Sequence, residues 1–177
     1  MSAVGFDLYC QMLEEAVAEL RGQPVVQGVE PELTFDAPSF LPEEYIEDVG
    51  VRLSFYKRFA GASDPEEVSD LAAEMEDRFG PAPGEARVFV RVMALKTRLR
   101  KLRALGIEAH RDRVVVHLRD DAPLDAPRML ELCAPKRSPW KLSPDMRLSR
   151  RFDDGLDGVT HAEQTLDALE PLRLDTP

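Results

Sequence analysis

Residues 84–119 read GEARVFVRVMALKTRLRKLRALGIEAHRDRVVVHLR, and this stretch decides the fold class. In its first half Phe89, Val92, Met93, Leu95, Leu99, Leu102 and Leu105 recur at three- and four-residue spacing. That period predicts one long helix, from about Gly84 to Leu105, with these residues inside. Gly106 follows where a C-terminal cap would stand. Ile107–His110 and Val114–Arg119 then flank Arg111-Asp112-Arg113, which predicts a β-hairpin with Val114, Val116 and Leu118 on one face. A long helix feeding a hairpin, with no regular βαβ alternation elsewhere, predicts an α+β fold: a mixed or antiparallel sheet flanked by helices.

Upstream, Asp64-Pro65-Glu66-Glu67 is a strong helix start. Asp caps, Pro takes the first helical position, and Glu67 stands three residues after the cap, as a capping box requires. Val68, Leu71, Ala72, Met75 and Phe79 form the apolar face, and Gly80-Pro81 ends it. A shorter helix, Val51–Ala60, presents Leu53, Tyr56 and Phe59 as its stripe. Pro42-Glu43-Glu44 opens a helical turn, and Leu33, Phe35 and Ala37 alternate with polar residues as a half-buried strand. Residues 5–20 carry an apolar stripe of Phe6, Tyr9, Met12, Leu13, Ala16, Val17 and Leu20, an amphipathic helix closed by Gly22 and Pro24.

Downstream, Asp125-Ala126-Pro127 caps a helix containing Met129, Leu130, Leu132 and Cys133. Lys141-Leu142 and Met146–Phe152 are strand candidates, Asp153-Asp154-Gly155 a turn, and Val159–Leu169 a final amphipathic helix.

The chain has 177 residues, 44% hydrophobic and 32% charged, with a net charge of -10. That composition fits a folded globular protein rather than a disordered one. The charge is unevenly placed: residues 87–119 hold ten bases against two acids, in a chain that is otherwise acidic. The overall balance argues against general nucleic-acid binding, with this block as a local exception. The two cysteines, Cys10 and Cys133, belong to no CxxC pair, which predicts reduced, buried thiols in a cytoplasmic protein without a disulfide or zinc framework. No apolar run reaches membrane-spanning length. There is no GxxxxGK[ST], GxSxG or HExxH. His110, His117 and His161 share no ligand spacing and read as surface histidines, although the first two could approach across the hairpin. Trp140 reads as a satellite-core residue.

Three constellations remain. In Glu74-Met75-Glu76-Asp77-Arg78-Phe79-Gly80, Glu74 and Asp77 are three apart and project together near a helix C-terminus. Two acids there oppose the helix dipole and each other, and a basic partner would offset both costs. The alternative is a solvated acidic face with Arg78 satisfying one carboxylate. The second is the basic helix Arg87, Arg91, Lys96, Arg98, Arg100, Lys101 and Arg103. It could track phosphates, but no aromatic interleaves as a base-stacking platform requires. Intramolecular ion pairing competes with that reading. The third is Arg52 with Phe55, an off-stripe aromatic flanked by arginine and hence a contact candidate; a second packing face in a doubly buried helix competes.

Several blocks resemble one known family. Gly5-Phe6-Asp7-Leu8-Tyr9-Cys10-Gln11-Met12-Leu13 is similar to the segment closing the motor module of the bacterial transcription-repair coupling factors, the Mfd family. Pro42-Glu43-Glu44-Tyr45-Ile46, Arg52-Leu53-Ser54-Phe55-Tyr56-Lys57-Arg58 and Glu74-Met75-Glu76-Asp77-Arg78-Phe79-Gly80 resemble successive blocks of that family's C-terminal (TRCF) domain, in order and spacing. The likeness covers residues 5 to about 119 well and the rest by element type only. It implies that residues 1–31 are the last helix of a motor module plus linker, and that 32–177 are a TRCF regulatory domain. It further implies a parent that is an ATP-driven, Mg-dependent translocase on double-stranded DNA, which displaces stalled RNA polymerase and recruits UvrA. The fragment itself would be non-catalytic, with no cofactor and no membrane partner. It would dock on the parent's N-terminal UvrB-like module and mask the surface that UvrA recognises. The resemblance carries that docking role onto Glu74 and Asp77, beside Arg78. Arg52, Phe55, Arg91 and Arg98 stand as secondary contacts, the last two also as the core of a rival nucleic-acid-binding reading.

Overall fold

The structure is a computed structural model and describes residues 30–174. The expected helix at residues 5–22, the boundary near residue 31 and Cys10 lie wholly or partly outside the described residues.

The elements are β1 (Glu32–Phe35), α1 (Val49–Gly61), α2 (Pro65–Phe79), α3 (Gly84–Lys101), β2 (Ala104–Ala109), β3 (Arg113–Leu118), α4 (Ala126–Cys133), β4 (Trp140–Leu142), β5 (Arg147–Arg151) and α5 (Gly158–Leu169). The strands form one sheet in the order β1-β2-β3-β5-β4. β1 runs parallel to β2 and every other pairing is antiparallel, so the α+β class with a mixed sheet holds.

The helix starts follow their capping residues. The Asp64 carboxylate accepts from the Glu66 and Glu67 amides, and Glu67 reaches back to accept from the Ser63 amide, one residue before the cap. Asp125 and Asp157 accept from the Arg128 and Thr160 amides at the starts of α4 and α5. Each satisfies amides that the first helical turn leaves without partners.

α3 is the spine. Its Val92, Leu95 and Leu99 pack on the inner face of the sheet with Ile107, Val114, Val116, Leu148 and Leu166. Its Ala86 and Phe89 face the other way, into a helical core with Phe55, Phe59, Val68 and Met75. Phe89 meets Tyr56 and Phe59 edge-on, with ring centroids 5.1 and 5.3 Å apart, a geometry that aromatic quadrupoles favour.

Several expectations are corrected. α3 ends at Lys101, not Leu105, because Arg103 adopts φ 51° and reverses the chain. Two-residue alternation has already begun at Ala104, leaving Leu105 42% exposed. Gly106 is therefore no cap. It lies inside β2 opposite Glu32 of the parallel strand β1, and a Cβ there would stand 2.7 Å from the Glu32 carbonyl oxygen. In α1 the stripe is displaced: Leu53 is 41% exposed, while Phe55 is 1% exposed. His161 is fully buried rather than on the surface. Its ring stacks on Phe152 with centroids 3.9 Å apart, and its Nε2 lies 2.6 Å from Asp154 Oδ1. His110 and His117 do not meet: their ring nitrogens lie 2.6 Å from Asp36 and 2.9 Å from Glu108. Trp140 is core, with the Arg150 guanidinium 5.0 Å above its ring. Cys133 is half-buried, and burial pushes its thiol pKa up, which keeps it inert.

Candidate functional site

The α1–α2 face holds most of the singled-out residues. Phe55 sits at its base against Phe59 and Phe79, with ring centroids 6.3 and 6.0 Å away. The guanidinium carbons of Arg58 and Arg78 each stand 5.4 Å from the Phe55 centroid, so two cations roof the ring. Phe55 is thus not a surface contact; it is the floor on which the charged layer rests.

Glu74 occupies the gap between those cations. Arg58 Nη1 and Nη2 donate to its two carboxylate oxygens at 2.7 and 2.5 Å, a bidentate bond that spans the two helices. Arg78, one turn on, adds a longer contact of 3.5 Å. The Arg58 hydrogen bonds hold the Glu74 carboxyl below its ordinary value of 4.5. Glu76 accepts from the Ala82 amide and steadies the turn after Gly80. Asp77 is different: it is exposed, and among the described residues its side chain has no ion-pair or hydrogen-bond partner. Glu66 and Asp70 are likewise exposed on α2. With Ala73, these positions follow a 4-3-4 spacing along one helix face and form an acidic ridge ending at Asp77.

The expected pairing of Glu74 with Asp77 is therefore asymmetric. The structure brings Glu74, Asp77 and Arg78 onto one face, but it engages Glu74 internally and leaves Asp77 to solvent. Arg58 was not singled out by sequence. Sixteen residues separate it from Glu74, so only the packing of α1 on α2 reveals the bond. Glu66 and Asp70 were not singled out by sequence either, since no local chemistry distinguishes their spacing with Asp77 from a solvated face.

The secondary candidates have structural partners. Arg52 Nη1 donates to the Ile46 carbonyl at 2.5 Å and ties the 42–46 turn to α1. Arg91 makes a bidentate bond to Glu163, 2.8 and 2.7 Å, and a third to Thr160. Arg98 bonds Asp167 at 2.8 Å. Lys96 and Arg100 converge on Glu30, and Arg100 also donates to the Ala60 and Ala62 carbonyls that end α1. The basic helix is largely satisfied within the chain, as the ion-pairing alternative anticipates. Among the described residues no group of three or more His, Cys, Asp and Glu could hold a metal ion, and no helix is long and apolar enough to cross a membrane.

Comparison with known proteins gives the relatives. The family model "TRCF domain" matches residues 35–129. The transcription-repair-coupling factor of Myxococcus xanthus is 44% identical over 169 residues, 94% of this chain and 14% of that protein. That of Bacillus subtilis strain 168 is 34% identical over 135 residues, 75% of this chain and 12% of that protein. That of Escherichia coli K12 is 30% identical over 153 residues, 84% and 13% respectively. The chain thus spans about one seventh of the first relative's length. A crystal structure of the C-terminal domain of transcription-repair coupling factor has the same fold, with a TM-score of 0.63 at 16% identity, over 80% of this chain and 94% of that one.

Proposed function

The chain belongs to the TRCF domain family, the C-terminal domain of transcription-repair coupling factors, and on that premise we propose that it is a non-catalytic, autoinhibitory docking module. In this reading it docks on the N-terminal UvrB-like module of its parent, an ATP-driven translocase on double-stranded DNA that displaces stalled RNA polymerase. Docked, it masks the surface that UvrA recognises.

The observation that carries the reading is Asp77, an unpartnered carboxylate at the end of an acidic ridge on a helix that cannot easily move. Met75 and Phe79 pack on Phe55 and Phe59 in the helical core and fix α2 against α1. A helix ordered in this way adds no backbone-ordering cost when an arginine of the partner meets Asp77. Contacts of this kind at an interface rim weaken with salt. They suit a lock that must open: about 1–3 kcal/mol of coupling regulates without closing permanently.

The test is titration in trans. The domain is added to the separately prepared UvrB-like module, as wild type and as Asp77→Arg. The reading predicts salt-weakened binding by the wild type and none by the variant, with the far-ultraviolet circular dichroism unchanged. Equal affinity for a folded variant overturns it.

A further inference from the structure

The sheet is covered on one side only. α3 and α5 pack on its inner face, α4 packs on β4, and among the described residues no helix lies on the outer face. The outer positions, apart from Gly106 and Val115, are polar and split by charge, with His117 among them 2.9 Å from Glu108. Glu32 and Glu108 lie on β1 and β2; Arg113, Arg151 and Lys141 lie on β3, β5 and β4.

The basic half carries the unusual feature. Arg113 and Arg151 are directly opposite one another in the antiparallel register, and Lys141 faces Ser149, two residues from Arg151. Like charges directly opposite on a sheet destabilise it. All three side chains are exposed, and among the described residues none has an ion-pair partner. The contrast with α3 is sharp, since Arg91, Lys96, Arg98 and Arg100 are all paired. Arg87 and Lys101 on α3 are also exposed without an ion-pair partner among the described residues, but the sheet is where two such cations, Arg113 and Arg151, stand directly opposite one another.

We propose that the outer face of the sheet is a second protein-docking surface. Its occupant is a charge-split protein segment, with carboxylates over Arg113, Lys141 and Arg151 and a cation over Glu32 and Glu108. This face shares no residue with the α1–α2 site. Charge complementarity selects the occupant. A polyanion lying across the face would bring phosphates to Glu108, one strand spacing of ~4.8 Å across and two residues along from Arg113, and to Glu32 on the edge strand, two to four spacings from the three cations. The Glu108–Arg113 separation is on the order of the ~8 Å screening length at physiological salt, so the repulsion is felt there. The strand positions of this face carry no Phe, Tyr or Trp on which a base could stack, and His117 is half-buried against Glu108. A protein segment can match both halves at once.

The 177-residue chain is titrated with three probes at low salt: a peptide with an Asp/Glu block followed by a Lys pair, an all-acid peptide of equal length, and a DNA duplex of about 20 base pairs. The measurements are repeated with Arg113→Ser, Lys141→Ser and Arg151→Ser combined. A control combines Lys57→Ser, Arg87→Ser and Lys101→Ser, which removes the same charge from helices. Thermal unfolding checks that both variants are folded. The split peptide is expected to bind best, to lose roughly tenfold in the sheet variant and to change little in the helix variant. Equal losses in both variants, no binding of the split peptide, or tighter binding of the duplex that is lost in the sheet variant would each overturn the proposal.

Discussion

Arg58 grips Glu74 with both terminal nitrogens, at 2.7 and 2.5 Å, across the seam between α1 and α2. The bond places the two cations Arg58 and Arg78 around one carboxylate and leaves Asp77 as the outward negative charge. Removing Arg58 makes the face more acidic without touching Asp77. If docking depends on partner arginines, Arg58→Ala tightens binding to the UvrB-like module roughly fivefold, about 1 kcal/mol of binding. Isothermal titration measures it, and weaker binding by a folded variant contradicts the electrostatic account.

The same bond sets a pH dependence. Glu74 titrates below its ordinary value of 4.5 because Arg58 donates to its ionised form. A depressed carboxylate stabilises the fold at pH above its unfolded value, and that contribution is lost as pH falls through the folded value. The carboxyl resonance of Glu74 should therefore show a midpoint below 4.5, moving up toward 4.5 in Arg58→Ala. The stability difference between the two proteins should shrink as pH falls through the wild-type midpoint. An unmoved midpoint means that the bond is not formed in solution.

Phe55 and Leu53 separate core from surface. Phe55 is 1% exposed beneath two guanidinium groups, whereas Leu53 is 41% exposed. Phe55→Ala should cost about 3–5 kcal/mol in urea unfolding, through lost transfer energy and a cavity. Leu53→Ala should stay within about 0.5 kcal/mol. A mild Phe55→Ala would restore that residue as a surface contact.

Arg91 and Arg98 both pair with acids of α5, Glu163 and Asp167. Combining Arg91→Ala with Arg98→Ala removes the bonds to Glu163, Thr160 and Asp167. These are half-exposed pairs, so each should contribute about 1 kcal/mol or less. The salt slope of any duplex binding should not change. A slope reduced by about two in the double variant would move the functional face to the basic helix.

Gly106 holds β1 to the sheet. A methyl group there meets the Glu32 carbonyl at 2.7 Å, so Gly106→Ala must displace one backbone from the other. A loss of about 1–3 kcal/mol is expected, with faster amide exchange in β1 than in β3. Unchanged exchange in β1 would show that the strand accommodates the methyl group.

Where local chemistry fixes structure, the sequence was readable. Asp64-Pro65 started α2, Gly80 with φ 83° ended it, and the alternation of residues 107–118 made the hairpin. The errors arose where tertiary contact outweighs pattern. Gly106 resembles a helix cap, but its role comes from a strand some seventy residues earlier in the chain. His161 is polar by type and buried because Phe152 and Asp154 close around it. Phe55 lay off the stripe because α1 packs on both α2 and α3, which widens its buried face. At the site, Glu74 and Asp77 could be found as a pair from spacing alone. Which of them is available to a partner depends on Arg58, and no local pattern contains that information.

The most direct measurement is competition for the isolated UvrB-like module between this domain and UvrA. With the module immobilised at a fixed UvrA concentration, added wild-type domain should displace UvrA with a midpoint that rises with salt. Asp77→Lys should displace it poorly. Simultaneous binding of UvrA and the domain, or equal displacement by the folded Asp77→Lys variant, would contradict the account.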